Sequence, residues 1–327
     1  MTGTALCAAG VVLSTAGYFA GGKDFTYTSD HMYVSGGNSS SRKNLTVMKK
    51  EQIDDFTKLN VNFENFDLDI RTSDDDHYYM EYRLEKNGRK NPLIWKDKDG
   101  KLTLEESAGG SGSYYITYDL GVFSTHADLT EKKDALNTVI LYIPEKAQLS
   151  EAELQLSDGD LAADQLLCKE MTLELLNGDL MLDKGEFEKF DAKLSDGDLN
   201  VKELQCTDNM QLKSGNGDVT IKKAELADGQ IALSDGDIQI DNSSFNGDMK
   251  INSSCGDVSV EMKNGSAEKT NIYLKATDGD VDTEGLSRGK TDNEEDTSVY
   301  ENKAGASAPT LNVECSDGDI TLTESEK

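Results

Sequence analysis

The sequence predicts an all-β protein: a β-solenoid, a parallel β-helix-like stack of ~20-residue coils, preceded by one short N-terminal apolar helix. Three observations carry this expectation. Gly-Asp pairs followed by Leu, Ile or Val recur at Gly159, Gly178, Gly197, Gly217, Gly236, Gly256 and Gly279, with gaps of 19, 19, 20, 19, 20 and 23 residues. Apolar residues alternate with polar ones up to each pair and again after it, as in Leu154-Gln155-Leu156-Ser157-Asp158-Gly159-Asp160-Leu161, the period of a strand with one wet face. The composition, with 29 Gly, 3 Pro and only 7% aromatic residues, suits short strands joined by glycine turns better than a thick core.

Taken from the N-terminus, residues 1–22 contain no Asp, Glu, Lys or Arg and include Leu6, Val11, Val12, Leu13, Tyr18 and Phe19, so they read as a membrane anchor or signal segment. Cleavage after Ala16 and an uncleaved anchor suit it equally. Residues 23–44, rich in Ser, Gly and Asn, read as a flexible tether. From 45 to 150, segments such as Leu59–Phe63, Phe66–Ile70 and Val139–Pro144 alternate like strands, and Asp99-Gly100 sits between Leu93–Trp95 and Leu102–Leu104 as a hairpin turn. This part forms the β-rich N-terminal part of the solenoid, and residues 151–327 its Gly-Asp repeats.

A ladder of antiparallel hairpins would share the same turn chemistry. The solenoid is favoured because one residue type recurs at one phase in every unit, as expected of side chains stacked in columns. Glycine would supply the left-handed corner conformation, with Ser or Asn before it bonding from coil to coil. Gly247 falls 11 residues after Gly236 and 9 before Gly256, which splits the unit into related halves, and Gly318 closes the series. Residues 284–308, polar and charged, read as a loop before the last coil. Cys168 and Cys206 each follow a motif glycine by 9 residues; two coils apart, their Cα atoms would lie about 9.6 Å from each other, beyond disulfide reach.

The apolar N-terminal segment, the β-rich first half with Tyr142-Ile143-Pro144 and the repeated Ser/Asn-x-Gly-Asp-apolar turns together resemble the bacterial putative-adhesin family of β-strand-repeat domains of unknown function. The resemblance covers about residues 45–327. It implies a β-solenoid displayed on the cell envelope, most often in Gram-positive bacteria, and brings no catalytic residues with it.

Asp and Glu outnumber Lys and Arg by 62 to 33, a formal charge of −29, which repels phosphate backbones and anionic bilayers. Nucleic acid is excluded as a partner, and membrane contact is expected through the N-terminal segment only. Catalytic patterns are weak. His31, His77 and His126 lack zinc-site spacing, Gly109–Ser113 lacks the last glycine of a nucleophile elbow, Gly285–Thr291 misses phosphate-loop spacing, and Asp97–Gly100 holds only fragments of a calcium loop.

One feature with chemistry remains, the column Asp160, Asp179, Asp198, Asp218, Asp237 and Asp257. Stacked carboxylates would repel by roughly 1 to 3 kcal/mol per neighbour. Either corner N–H groups and water offset this, or the column, helped by Asp158, Asp196 and Asp235, is a site for calcium. No other cofactor is implied. The expected function is a surface-displayed, non-catalytic structural or adhesin-like module of the bacterial envelope, extracytoplasmic and membrane-anchored or secreted, with a protein, peptide or cell-wall ligand. An envelope-stress sensor binding cationic peptides or a membrane partner is the alternative, and a carbohydrate-active β-helix enzyme comes third.

Overall fold

A computed structural model describes residues 45–108, 136–283, 286, 289–294 and 296–326, together with the backbone of 25–27 and 32–34. The expected apolar helix over 1–22 lies outside the described residues. Inside the expected tether, Phe25–Tyr27 and Met32–Val34 pair antiparallel. The chain divides into two compact units, one of Met1–Thr46, Glu85–Pro92 and Ala108–Ala135, the other of Val47–Leu84, Leu93–Ser107 and Leu136–Lys327. Among the described residues no helix is long and apolar enough to cross a membrane.

The second unit is a stack of coils paired in parallel. Each coil has a strand approaching the Gly-Asp corner and a strand leaving it, and the alternation of aliphatic residues decides which side chains turn inward. On the approach, Leu154, Leu173, Ala192, Leu212, Ile231, Ile251 and Val313 are successive partners. After the corner, Leu161, Leu180, Leu199, Val219, Ile238, Val258 and Ile320 follow one another in the same way. All fourteen are buried, and burying a Leu, Ile or Val side chain stabilises by about 1.5–3 kcal/mol. Stacked aliphatic side chains thus form continuous columns.

Cys168, Phe187 and Cys206 are consecutive partners in a third inward column, so the ring of Phe187 stands in the coil between the two cysteines. Both are free thiols. Burial pushes the Cys168 thiol up to about 12 and raises that of Cys206.

Coil order departs from chain order at both ends. Gly318 was expected to close the series, yet its coil lies inside the stack: Thr310–Asp317 pairs with Met249–Cys255 on one side and with Asn271–Thr277 on the other, and Ile320 lies between Val258 and Val281. The Gly279 coil is therefore the outer one. At the other end, Lys58–Phe63 lies between Leu149–Asp158 and Lys101–Glu106, and Asp67–Ser73 pairs with both Leu161–Asn177 and Thr138–Pro144.

Antiparallel strands cover these outer coils. Leu93–Lys98 pairs with Lys101–Glu106 across a turn in which Asp99 and Gly100 have φ of 55° and 72°, the hairpin expected from the sequence, and Tyr79–Glu85 covers Thr138–Pro144. Within the expected 284–308 loop, Lys290–Glu294 pairs antiparallel with Thr297–Asn302, which covers Asn271–Thr277. Its polar composition did not prevent pairing because main-chain bonds need no apolar side chains and a charged outer edge resists edge-to-edge association. Ser298, Tyr300 and Asn302 supply the inward face.

The corner glycines are fixed by a contact between coils. A Cβ on Gly178 would lie 2.2 Å from the carbonyl oxygen of Gly159, and the same approach, at 2.1 to 2.5 Å, recurs for Gly197 on Gly178, Gly217 on Gly197, Gly236 on Gly217, Gly256 on Gly236, Gly318 on Gly256 and Gly279 on Gly318. Left-handed φ is a second requirement at Gly197, Gly217, Gly236, Gly256 and Gly318 only. Gly178 therefore isolates the contact. Gly178→Ala is expected to lower stability in urea unfolding by about 2–4 kcal/mol, whereas Ala at exposed Asn200 changes it by less than about 0.5 kcal/mol. Equal midpoints for the two variants would contradict the close approach.

Candidate functional site

The aspartate column forms a ladder. The carboxylate Oδ1 of each aspartate accepts the main-chain N–H of the aspartate in the next coil, from Asp67 through Asp160, Asp179, Asp198, Asp218, Asp237, Asp257 and Asp319 to Asp280, in bonds of 2.8–3.0 Å. The residue after each aspartate donates its N–H to the carbonyl of the next coil's aspartate, as Leu180 does to Asp198 and Leu199 to Asp218, each at 2.8 Å. Each corner is thus tied to the next through both side chain and main chain. A hydrogen bond to a charged acceptor contributes about 1.5–3 kcal/mol, the order of the repulsion between neighbouring carboxylates.

All six aspartates expected in the column are in it, and the structure adds Asp67, Asp319 and Asp280. Asp67 escaped notice because Phe66 stands where the glycine would be; the carbonyl of Phe66 lies under Gly159 as the next glycine carbonyls do above. The signal present was the repeated Asp-apolar-x-apolar string Asp67-Leu68-Asp69-Ile70. Asp158 and Asp196 accept from Asn177 and Asn216, at 2.7 and 2.6 Å, so Asn before the glycine does bond from coil to coil. The carbonyl of Asp235 accepts the N–H of Gly217 at 3.1 Å.

Gly247 belongs to a second corner. There Asp248 donates its N–H to Asp228 Oδ1 at 2.7 Å, and Asp248 Oδ1 accepts from Thr310 at 3.0 Å. The two half-repeats therefore share the aspartate-to-amide bond but lie in different columns.

Among the described residues no group of three His, Cys, Asp or Glu side chains is placed to hold a metal ion. His31 and His126 lie outside the described residues; His77 is exposed and donates its main-chain N–H to Asp75 Oδ1 at 2.9 Å. A cavity beside Thr72, Pro144, Gln165 and Leu166 encloses about 10 Å³, room for no more than one water molecule.

Outward residues change in charge and polarity from coil to coil, while inward ones change only among apolar types. One outward column runs Lys101, Lys58, Glu151, Glu170, Lys189 and Asn209. Its charges pair between coils, Lys58 with Glu151 at 2.6 Å and Lys189 with Glu170 at 3.4 Å. Exposed pairs of this kind contribute about 0–1 kcal/mol.

A second grouping lies on the outer face of the N-terminal coils. The ammonium of Lys50 stands 3.7 Å from the ring centroid of Tyr142 and 4.9 Å from that of Tyr79. Tyr142 donates its hydroxyl to Glu81 at 2.6 Å, Tyr79 donates to Asp75 at 2.7 Å, and Arg71 pairs with Asp69 at 2.6 Å beside them. Burial, then the bond to Glu81, raises the Tyr142 phenol above its ordinary value. No spacing in the sequence announces this grouping, since its members come from separate strands.

Two predictions concern the ladder. Asp179→Ala leaves the Asp198 N–H without its acceptor and should lower stability by about 1–3 kcal/mol, while Asp179→Asn keeps an acceptor oxygen and should lose less; equal losses in urea unfolding would contradict the bond. Burial, reinforced by the charge of Asp160 and opposed by its N–H, raises the Asp67 carboxyl. A raised folded value means that stability is present below the unfolded carboxyl value and lost as pH rises through the folded one. Asp67→Asn should therefore melt above the unaltered chain at neutral pH and show no such gain near about pH 3; a gain of the same size at both would contradict the assignment.

A family model described as Toastrack DUF4097 matches residues 56–323. None of the curated proteins matches the chain. Among solved structures, the chain is similar to a putative adhesin from Parabacteroides merdae, with 17% identity, a TM-score of 0.49, and 89% of this chain and 98% of that one covered. A putative lipid binding protein from Parabacteroides distasonis matches at 12% identity and a TM-score of 0.46, over 86% of this chain and 97% of that one. A putative cell adhesion protein from Clostridium sporogenes matches at 15% identity and a TM-score of 0.26, over 86% and 100% respectively.

Proposed function

The chain belongs to the Toastrack DUF4097 family, and from that premise we propose that it is a non-catalytic, adhesin-like binding module displayed on the outside of the bacterial cell. The observation that carries the reading is the division of labour across the coil wall. Corners repeat Gly-Asp and inward columns stay apolar from coil to coil, whereas the outward columns change in charge and polarity. A scaffold of this kind holds variable side chains at the fixed spacing of a parallel ladder, about 4.8 Å per coil, over an extended surface.

The apolar, uncharged residues 1–22 support an extracytoplasmic place, anchored or secreted, and the Gram-positive envelope is the setting proposed. The partner would be a protein, peptide or cell-wall polymer met on the outward columns. The charge of −29 favours cationic ligands, which keeps the envelope-sensor reading as the second choice.

The test is retention of envelope components by the full chain at physiological salt, repeated with Glu151→Lys and Glu170→Lys together and with Asp179→Asn. A component retained by the unaltered chain and by the corner variant, but lost from the recharged one, is the expected result. Retention of the same set by all three chains would contradict outward-column binding.

A further inference from the structure

The strand Leu45–Gln52 pairs with Tyr79–Glu85 at the edge of the sheet formed by the described residues, and it contributes no buried side chain. Its neighbour inserts Met80 and Leu84, both fully buried. Only Met48 of the edge strand packs against the core, and that partly. The chain becomes fixed just after this strand. Ile53 is buried and its N–H donates to the Tyr78 carbonyl at 3.0 Å, and Phe56 packs on Tyr78 at 4.7 Å between ring centroids. The edge strand is thus held upstream of Ile53 by main-chain pairing and by a few side chains, the profile of a segment that opens locally before the rest of the fold.

Lys50 is the most specific of those side chains. Its ammonium faces Tyr142 and Tyr79 and lies 3.9 Å from Asp74. Each tyrosine hydroxyl is anchored to a carboxylate, Tyr142 to Glu81 and Tyr79 to Asp75. Two aromatic faces backed by carboxylates make a cage for a primary ammonium, and Lys50 shows which group it takes. The cage walls come from Tyr79–Glu85 and Thr138–Pro144, strands that stay in place if the edge strand leaves.

We propose that the outer edge of Tyr79–Glu85 is a strand-addition site for an extended lysine-bearing cationic peptide segment, whose ammonium enters the Tyr79–Tyr142 cage that Lys50 fills in this structure. Main-chain bonds along the edge would supply affinity and the cage would supply the choice of residue. The acidic charge of the whole chain favours approach of such a segment. The resting occupant makes the site self-blocked, so a ligand must displace residues 47–52, and weakening the hold of Lys50 should favour the ligand. This rests on the binding-module reading and gives one partner class a place. Its failure leaves that reading to the outward-column retention test, which does not involve the cage.

The test uses the full chain and a fluorescent peptide copying residues 47–53, measured by anisotropy, with thermal melts to show that each variant is folded. The Lys50→Gln chain should bind the peptide at least about tenfold more tightly than the unaltered chain. A peptide with Gln at the position of Lys50 should bind about tenfold more weakly, and so should a Tyr79→Leu chain that retains its melting midpoint. Amide exchange should be faster over 47–52 than over 79–84. The proposal is overturned by absence of saturable binding to the Lys50→Gln chain, by equal binding of the lysine, glutamine and scrambled peptides, or by equally slow exchange in both strands. A concentration-dependent dimer that excludes the peptide would make a second copy of this chain the occupant and overturn it as well.

Discussion

The stack depends on how closely one corner can approach the next. A carbonyl oxygen lies where a Cβ would be, from Phe66 under Gly159 up to Gly318 under Gly279, so from the Gly159 coil to the Gly279 coil the position admits glycine alone, whatever its φ. That approach lets Oδ1 of the following aspartate reach the next aspartate's N–H. Glycine and aspartate are therefore two halves of one requirement. The first removes the side chain that would hold the coils apart, and the second gives the exposed corner amide an acceptor. Acidity at the corners follows from this geometry, and the like charges persist because each carboxylate is engaged by the backbone of its neighbour.

With the corners fixed, the strands between them need only alternate. Leucine, isoleucine and valine predominate in the inward columns, with Ala192, Cys168, Phe187 and Cys206 among them, and apolar residues stack because parallel pairing in register sets each above its counterpart. The ends need a different solution, since a parallel stack leaves an open edge. Both ends cover the outermost coil with antiparallel strands, but in opposite chain order. At the N-terminal end the inner coil 58–73 comes first and the outer coil follows its covering strands. At the C-terminal end the outer coil comes first, is covered, and a coil is then placed inside it. The C-terminal segment Thr310–Glu324 is consequently held on both faces by neighbours, although it comes last in the chain.

Legibility in the sequence followed the same physics. The coil corners were legible because a steric rule acting once per coil leaves a letter at a fixed period, and the Asp99-Gly100 hairpin because both residues take positive φ. Cys168 and Cys206 could be placed in one column from phase alone. The order of the end coils was not legible, since main-chain pairing does not record which coil an equivalent coil lies against. The strand pairing within 290–302 was hidden by its polar edge, Asp67 by the phenylalanine before it, and the cage around Lys50 by the wide sequence separation of Tyr79 and Tyr142. Chemistry that repeats can be read from one chain; chemistry assembled once, from distant strands, cannot.

The claim that the aspartate ladder ties corner to corner is tested most directly by amide hydrogen exchange at Asp179, Asp198, Asp218, Asp237 and Asp257, whose side chains are solvent-facing but whose N–H groups are bonded to the preceding carboxylate. Protection matching that of the corner amides of Leu180 and Leu199, which bond main chain to main chain, is the predicted result. Exchange of the aspartate amides at the rate of an unstructured peptide, beside protected leucines, would contradict it.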